Sequence, residues 1–133
     1  MPLSAYDAAR GQYRAERLLA RARECDARRV LALTARDLYA EGTDYALGAA
    51  DAPGRAAVVS LYRLHMGEDG EVFRERVLKE AIRQIGRTLG LPECSHPRCV
   101  MRPAVRLEDI DTATAKLCAN CLLLASRRAR GRA

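Results

Sequence analysis

Four of the five cysteines lie in one stretch of the chain, as two close pairs separated by a loop. Cys94 and Cys99 form the first pair, and Cys118 and Cys121 form the second. Each pair offers two thiolates from one tight turn, and the intervening loop can bring both pairs around a single ion. Tetrahedral coordination by four thiolates is typical of structural zinc. The sequence therefore predicts one structural zinc ion in a four-cysteine segment at 91–121.

The residues around these cysteines suit such a site. Four thiolates around Zn²⁺ leave a net negative charge, which Arg98, Arg102 and Lys116 are expected to offset. His96 lies between the cysteines of the first pair. It is interpreted as a loop residue, with replacement of one cysteine ligand as the alternative. Cys25 stands apart and is expected to face the core from the first predicted helix.

The length of 133 residues and the hydrophobic content of 49 % predict one folded domain spanning 1–133. No apolar run approaches the ~20 residues that a membrane-spanning helix needs. The first residues contain no apolar segment of a secretion signal. We therefore expect a cytoplasmic protein without a membrane partner, in a compartment where cysteines are free or metal-bound.

Hydrophobic periodicity predicts helices alternating with strands, which is typical of an α/β fold. Continuous apolar or β-branched runs indicate strands, and apolar residues at helical spacing indicate helices. The predicted elements are a helix at 8–25, a strand at 30–34, a helical turn and loop at 35–42, a weak strand at 44–54, the clearest strand at 55–64, a loop at 67–70, a long helix at 71–89, and a C-terminal segment that begins apolar and ends in an arginine-rich tail.

The long predicted helix has two distinct faces. Its apolar stripe is formed by Phe73, Val77, Leu78, Ala81, Ile82, Ile85 and Leu89. A second face carries Arg76, Glu80, Arg83 and Arg87. Gly90 follows at the position of a C-terminal capping glycine. The helix is therefore expected to end directly before the cysteine-bearing segment.

The frame from residue 83 to residue 121 resembles the archaemetzincin (archaelysin) family of zinc metallopeptidases. That family has a helix ending in H-E-x-x-H-x-x-G-x-x-H-C, followed by C-x4-C-x-M and C-x2-C. This chain keeps Gly90, Cys94, Cys99, Met101, Cys118 and Cys121. The stretches AYDAARGQY, GRAAVVSLYRL, FRERVLKEA and RLEDID also look like family segments. The resemblance implies a compact α/β metzincin-like (zincin) domain with a mixed sheet, an active-site-type helix and a small four-cysteine zinc lobe.

The same frame departs from the family at its functional positions. The first two catalytic-zinc histidines fall at Arg83 and Arg87, the third falls at Glu93, and the catalytic glutamate falls at Gln84. A catalytic zinc needs three ligands, and the proton of its water needs a carboxylate. Arginine has no lone pair for a metal, and glutamine has no useful basicity. We therefore predict a pseudoenzyme without a catalytic zinc.

The substitutions suggest an ionic replacement for the lost metal. Arg83 and Arg87 are four residues apart on one helix face, and the family geometry places Glu93 beside both. We hypothesise an Arg83–Glu93–Arg87 cluster at the position of the lost zinc, with three solvated side chains as the alternative. Met101 matches the family's methionine beneath the catalytic zinc and is otherwise a core residue. His65 is expected at the surface, at the end of a strand.

The beginning of the chain also differs from the family. Family chains usually have another strand and helix before the AYDAARGQY segment, so the resemblance implies an N-terminally shortened domain with an exposed sheet edge. Exposed edges favour pairing with another strand. We expect pairing with a second copy of the chain, or with a partner that supplies the missing segment.

The favoured function is a catalytically inactive archaemetzincin-like protein whose pseudo-active cleft binds a peptide or protein. The resemblance implies that the strand at 55–64 would pair with an extended chain. The peptide-binding candidates are Val58, Val59, Ser60 and Leu61.

Two other functions are considered. One is a zinc-dependent metallopeptidase with a rebuilt metal site. The other is a basic, zinc-stabilised nucleic-acid-binding module, suggested by the net charge of +6 and the arginine-rich tail. The first predicted helix would contribute Arg10, Arg14, Arg17 and Arg21. A charge run is more often a solvated face, so nucleic acid is not expected as a partner.

Overall fold

A three-stranded sheet with a helix on each face forms the centre of the molecule. The computed structural model describes residues 5–65 and 70–131. The strands are β1 (Tyr6–Asp7), β2 (Gln12–Arg14), β3 (Val30–Thr34), β4 (Leu38–Tyr39), β5 (Gly48–Ala50) and β6 (Ala56–Ser60). The helices are α1 (Ala15–Ala22), α2 (Gly70–Thr88), α3 (Leu107–Thr112) and α4 (Ala119–Gly131).

The central sheet is mixed, with the strand order β3-β6-β5. β3 runs parallel to β6, and β5 runs antiparallel to it. Val58 lies opposite Ala32 on one side and opposite Ala49 on the other. All five residues of β6 are buried, as expected for a strand covered on both faces. A second small sheet has the order β1-β2-β4.

The two helices cover opposite faces of the central sheet. α1 buries Ala15, Leu18, Leu19 and Ala22, whose spacing places them on one side of the helix. These side chains pack in one cluster with Val58 of β6. The next residue of the strand, Val59, packs in a separate cluster with Phe73 and Val77 of α2. The alternation of side chains along β6 therefore supplies both cores.

Most predicted elements are present, but one predicted helix is shorter than expected and one predicted helical turn is a strand. The predicted helix at 8–25 is shorter, because its first part forms the β1–β2 hairpin, with Gly11 at a φ of 69° in the turn. The predicted helical turn at 35–42 is wrong. Leu38 is fully buried and pairs with Tyr13 of β2, so strand pairing overrides the local helical pattern.

The remaining predictions of secondary structure agree with the fold. The strands at 30–34, 44–54 and 55–64 correspond to β3, β5 and β6, and the long helix at 71–89 corresponds to α2. The predicted loop at 67–70 lies outside the described residues except for Gly70, which begins α2. The arginine-rich end, predicted as a tail, continues α4 to Gly131. None of the helices in the described ranges is long and apolar enough to cross a membrane.

β3 is an edge strand within the described part of the central sheet. Leu33 on this strand is 54 % exposed. A cavity of about 650 Å³ lies beside it, and its lining includes Leu18, Ala22 and Val30. An open edge next to an apolar groove is a surface on which another strand can pair.

We predict that the chain forms a dimer through this edge. Antiparallel pairing about a twofold axis at Ala32 would set Leu31 of each copy opposite Leu33 of the other. Sedimentation velocity should show a dimer that Leu33→Glu converts to monomer. Leu122→Glu, at an equally exposed leucine of α4, should leave the dimer intact. A wild-type chain that is strictly monomeric at high concentration would contradict the prediction.

Candidate functional site: a four-cysteine group beside an arginine-lined cleft

The four cysteines of the 91–121 segment meet at one place in the structure. The sulfur atoms of Cys94, Cys99, Cys118 and Cys121 all lie within 4.8 Å of one another. Cys94 Sγ and Cys118 Sγ, which come from different pairs, are 3.8 Å apart. Zinc–sulfur bonds of about 2.3 Å in a tetrahedron require sulfur atoms about 3.8 Å apart. The donor set and its spacing therefore fit a zinc ion.

Backbone hydrogen bonds bring the two cysteine pairs together. The N–H of Val100 donates to the carbonyl of Lys116 at 3.0 Å, which joins the two halves of the segment. The N–H of Cys94 donates to the carbonyl of Met101 at 3.1 Å. Cys99 Sγ accepts the N–H of Cys118 at 3.3 Å, across the two pairs. These hydrogen bonds hold the sulfur-bearing turns of both pairs at one place.

Two of the thiols have pKa values shifted in opposite directions. A backbone hydrogen bond from Cys121 lowers the pKa of Cys118 to about 7. Burial raises the pKa of Cys121, and the neighbouring thiols Cys118 and Cys94 raise it further. Four thiolates at this spacing repel one another, so a cation is needed to hold them all deprotonated. This is the charge that Zn²⁺ would supply.

The predicted surroundings of the site are only partly as expected. Arg102 lies 3.5 Å from Asp109, so an acidic partner already engages its charge. Arg98 and Lys116 are exposed. His96 is exposed too, and its Nδ1 accepts the backbone N–H of Arg98 at 3.2 Å. It is not part of the group of close sulfur ligands.

Two further sequence expectations concern residues far from the cysteine group. Cys25 is exposed, so the prediction that it faces the core is wrong, because α1 ends at Ala22. His65 is exposed, as predicted, and stacks on Phe73 with ring centroids 3.7 Å apart. It lies in a short 3-10 turn at Arg63–His65.

α2 carries Arg83 and Arg87 at two of the family motif's histidine positions, and Gln84 at the position of its glutamate. Arg83 and Gln84 are both buried, and both bond to the same carboxylate, that of Glu80 one turn earlier. Arg83 makes two bonds to Glu80, Nε to Oε1 at 3.0 Å and Nη2 to Oε2 at 2.8 Å. Gln84 Nε2 donates to Glu80 Oε2 at 2.8 Å. The polar face of α2 is thus turned inward.

Glu80 is the residue that the sequence analysis did not single out as part of the site. Its side chain has no exposed surface. Its role could have been found from its spacing, because Arg83 and Gln84 follow it by three and four residues, and side chains at these spacings meet on a helix. The neighbouring strand leaves little room there: a Cβ on Gly48 of β5 would lie 2.9 Å from both Gln84 Nε2 and Glu80 Oε2. Glycine at position 48 lets the strand approach this group of polar atoms.

The hypothesised Arg83–Glu93–Arg87 cluster does not form. Arg83 takes Glu80 as its partner, and Arg87 Nη1 donates to Gln84 Oε1 at 3.3 Å. Of the ion pairs in 5–65 and 70–131, none joins Glu93 to either arginine. The physical reason is that Glu80 already lies one turn away on the same helix. All three residues nevertheless line one cavity of about 340 Å³, which we name the arginine cleft.

Two glycines of the frame, Gly86 and Gly90, are explained by close packing and by backbone conformation, respectively. Met101 is 1 % exposed and also lines the arginine cleft. A Cβ on Gly86 would lie 2.5 Å from Met101 Sδ, so a larger residue would displace this methionine. Gly90 ends α2 with a φ of 84°, a conformation that favours glycine. The frame therefore fixes the turn from α2 into the four-cysteine segment.

The predicted peptide-binding residues do not offer a free strand edge. β6 is paired with β3 on one side and with β5 on the other. Val58, Val59 and Ser60 are no more than 1 % exposed, and the N–H of Leu61 donates to Thr34 at 2.7 Å. Because β6 is the central strand of the described sheet, these residues have no free backbone edge with which a peptide could pair.

Known proteins of similar sequence cover nearly all of this chain. A family model described as Peptidase family M54 matches residues 3–127. The archaemetzincin of Methanopyrus kandleri is 41 % identical over 129 residues, covering 96 % of this chain and 73 % of that protein. The archaemetzincin of Archaeoglobus fulgidus is 38 % identical over 119 residues, covering 90 % of this chain and 72 % of that protein.

Solved structures agree with this similarity. The crystal structure of the M. kandleri archaemetzincin matches with a TM-score of 0.94 at 40 % identity, over 98 % of this chain and 73 % of that one. The crystal structure of the A. fulgidus archaemetzincin, complexed with malonate, matches with a TM-score of 0.84 at 38 % identity, over 92 % and 75 % of the two chains. The predicted resemblance and fold class are confirmed.

The pairing inside α2 leads to a stability prediction. Arg83→Met leaves the carboxylate of Glu80 buried without its charge partner, and breaking such a pair should lower the free energy of unfolding by about 3 kcal/mol. The double variant Glu80→Gln with Arg83→Met removes both charges and should recover most of that loss. Urea unfolding of the three proteins measures both effects. Equal stability of the single and double variants would contradict a buried ion pair.

Proposed function

Because the chain belongs to the archaemetzincin family, Peptidase family M54, we propose that it is a catalytically inactive member. It holds one structural zinc ion through Cys94, Cys99, Cys118 and Cys121, and it binds a peptide or protein segment in the arginine cleft. Thiol ligands of this kind suit the reducing cytoplasm, where we place the protein.

The observation that carries the proposal is that two of the motif positions, Arg83 and Gln84, are both bonded to the buried carboxylate of Glu80. Metallopeptidase chemistry needs a metal with an open position and a carboxylate that accepts the proton of its water. Arg83 and Gln84 instead donate to Glu80. Neither an arginine nor a glutamine can take the place of a zinc histidine or a general base. This supports the absence of catalysis in the cleft.

A peptidase with a rebuilt metal site has less support. Across the described residues, the four cysteines are the one group of three or more close metal-ligating side chains. All four are needed to complete a tetrahedral structural site, which has no open position for water. In this proposal the zinc stabilises the fold and takes no part in a reaction, while the chain's own cysteines hold the 91–121 segment against α2.

Nucleic-acid binding also lacks a specific supporting contact. Of the predicted basic face, Arg10 bonds to the carbonyl oxygens of Thr43 and Asp44, Arg14 pairs with Glu41, and Arg21 pairs with Glu24. Arginines held by local partners contribute less to phosphate binding. We therefore retain the cleft as the binding site.

The zinc-saturated wild-type protein should hydrolyse no peptide bond in an unfolded casein substrate. A matched comparison is the quadruple variant Arg83→His, Gln84→Glu, Arg87→His and Glu93→His, which restores the ligand types of the family motif and should bind a second metal ion. Mass spectrometry of the substrate detects cleavage. Wild-type cleavage that stops on addition of a chelator and on Glu93→Gln would contradict inactivity.

The structural role of the zinc is tested through its ligands. Cys118→Ser should lower the free energy of unfolding by about 3 kcal/mol, because the folded state loses a tightly bound ion. A chelator should destabilise the wild-type chain and leave Cys118→Ser unaffected. Cys25→Ser, at the exposed cysteine outside the group, should behave as the wild type in thermal unfolding. Equal stability of Cys118→Ser and Cys25→Ser would argue against a structural zinc.

A further inference from the structure

The arginine cleft brings together three guanidinium groups from two helices. Arg83 and Arg87 come from α2, and Arg128 comes from α4. Glu93 supplies the acidic group of the lining. A volume of about 340 Å³ is at the small end of ligand-binding cavities. The cleft is therefore large enough for a small group, and the charged part of its lining is mainly positive.

The charges of the cleft do not cancel. Arg83 is matched by the buried carboxylate of Glu80. Arg87 bonds to an uncharged amide oxygen, and the ion pairs of the described residues include none that engages Arg128. Against these two positive charges stands the single negative charge of Glu93. One net positive charge remains, which favours a singly charged anion over a doubly charged one.

Arg128 reaches the cleft because the four-cysteine group holds α4 in place. Cys121, Leu124 and Ala125 pack in the cluster that contains Met101. Arg128 follows at i+7, i+4 and i+3 from these residues, so it lies on the same helix face. A Cβ on Gly90 would lie 2.9 Å from Arg128 Nη1, which puts this guanidinium against the end of α2.

The remaining walls are apolar. Ala52, Pro53, Leu91 and Pro92 line the cleft together with Met101. A site with two guanidinium groups and apolar walls suits a carboxylate attached to an apolar group. Arginine bonds a carboxylate with two parallel N–H donors, and these walls can contact the side chain beside it.

We propose that the arginine cleft binds a carboxylate through Arg87 and Arg128, and that its source is the C-terminal carboxylate of a peptide ending in an apolar residue. This rests on the proposed function, since it assumes a cleft that binds peptide without cleaving it. The position of Arg128 makes binding dependent on the four-cysteine group. Arg87 of the degenerate motif then serves as a ligand-binding residue.

The test uses the zinc-loaded full chain and an N-terminally fluorescein-labelled peptide, Gly-Gly-Ala-Ala-Leu, as the free acid and as the C-terminal amide. Fluorescence anisotropy should give at least about tenfold tighter binding of the acid, the effect of one charged hydrogen bond. Arg128→Gln should remove that difference. Arg127→Gln, a neighbouring exposed arginine outside the cleft lining, should preserve it.

Each outcome decides the proposal. Acid-selective binding that is lost in Arg128→Gln supports it. Displacement of the bound peptide acid by acetate at concentrations no higher than those needed of the unlabelled peptide acid would overturn the peptide as the source and assign the carboxylate site to a free small acid. Equal binding of acid and amide, binding insensitive to Arg128→Gln, or no binding of any probe overturns it. Mass spectrometry of the recovered peptide separates the two proposals, because cleavage would refute inactivity whatever the binding result.

Discussion

The buried ion pair between Glu80 and Arg83 is the interaction on which the rest of the site depends. It allows the polar face of α2 to pack inward, with Gln84 as a third member and Gly48 of β5 at close range. A buried carboxylate needs such partners, because an unpaired charge in the interior is strongly unfavourable. The pair thus lets this face of α2 pack closely against β5. It also engages two of the motif positions, Arg83 and Gln84, in hydrogen bonds to the same carboxylate.

The four-cysteine group is the second constraint, and it acts on the same cleft from the other side. It fixes the start of α4 beside the end of α2, with Met101 packed against Gly86 between them. Small domains with limited cores often use a metal to hold such a segment. In our account the zinc orders the lobe, and the lobe carries Arg128 to the cleft. The structural ion and the binding surface are therefore linked through one helix.

The sequence predicted much of this because some signals are local. The spacing of Cys94, Cys99, Cys118 and Cys121 was sufficient to predict that the four sulfur atoms meet, since each pair belongs to one turn. The strands β3 and β6 were visible as continuous apolar or β-branched runs. Gly90 marked the end of α2 through the conformation that it adopts.

Other features depend on long-range pairing that the sequence does not display. Leu38 pairs with β2, which overrode its helical surroundings. The central position of β6 follows from the order of the sheet, and it removed the predicted peptide-pairing edge. Arg83 had two acidic candidates, and the structure selects Glu80 on the same helix over Glu93 beyond the glycine turn. The contribution of Arg128 required the packing of α4, which begins at Ala119, far along the chain from the α2 motif.

The most direct test of the account is the number of zinc ions per folded chain, measured by elemental analysis after exhaustive dialysis against a mild chelator. The account requires one zinc per chain, held by the four cysteines, in a protein whose motif positions bind no metal. Two zinc ions per chain would show that a second metal site exists, and the assignment of the protein as an inactive member of its family would then be wrong.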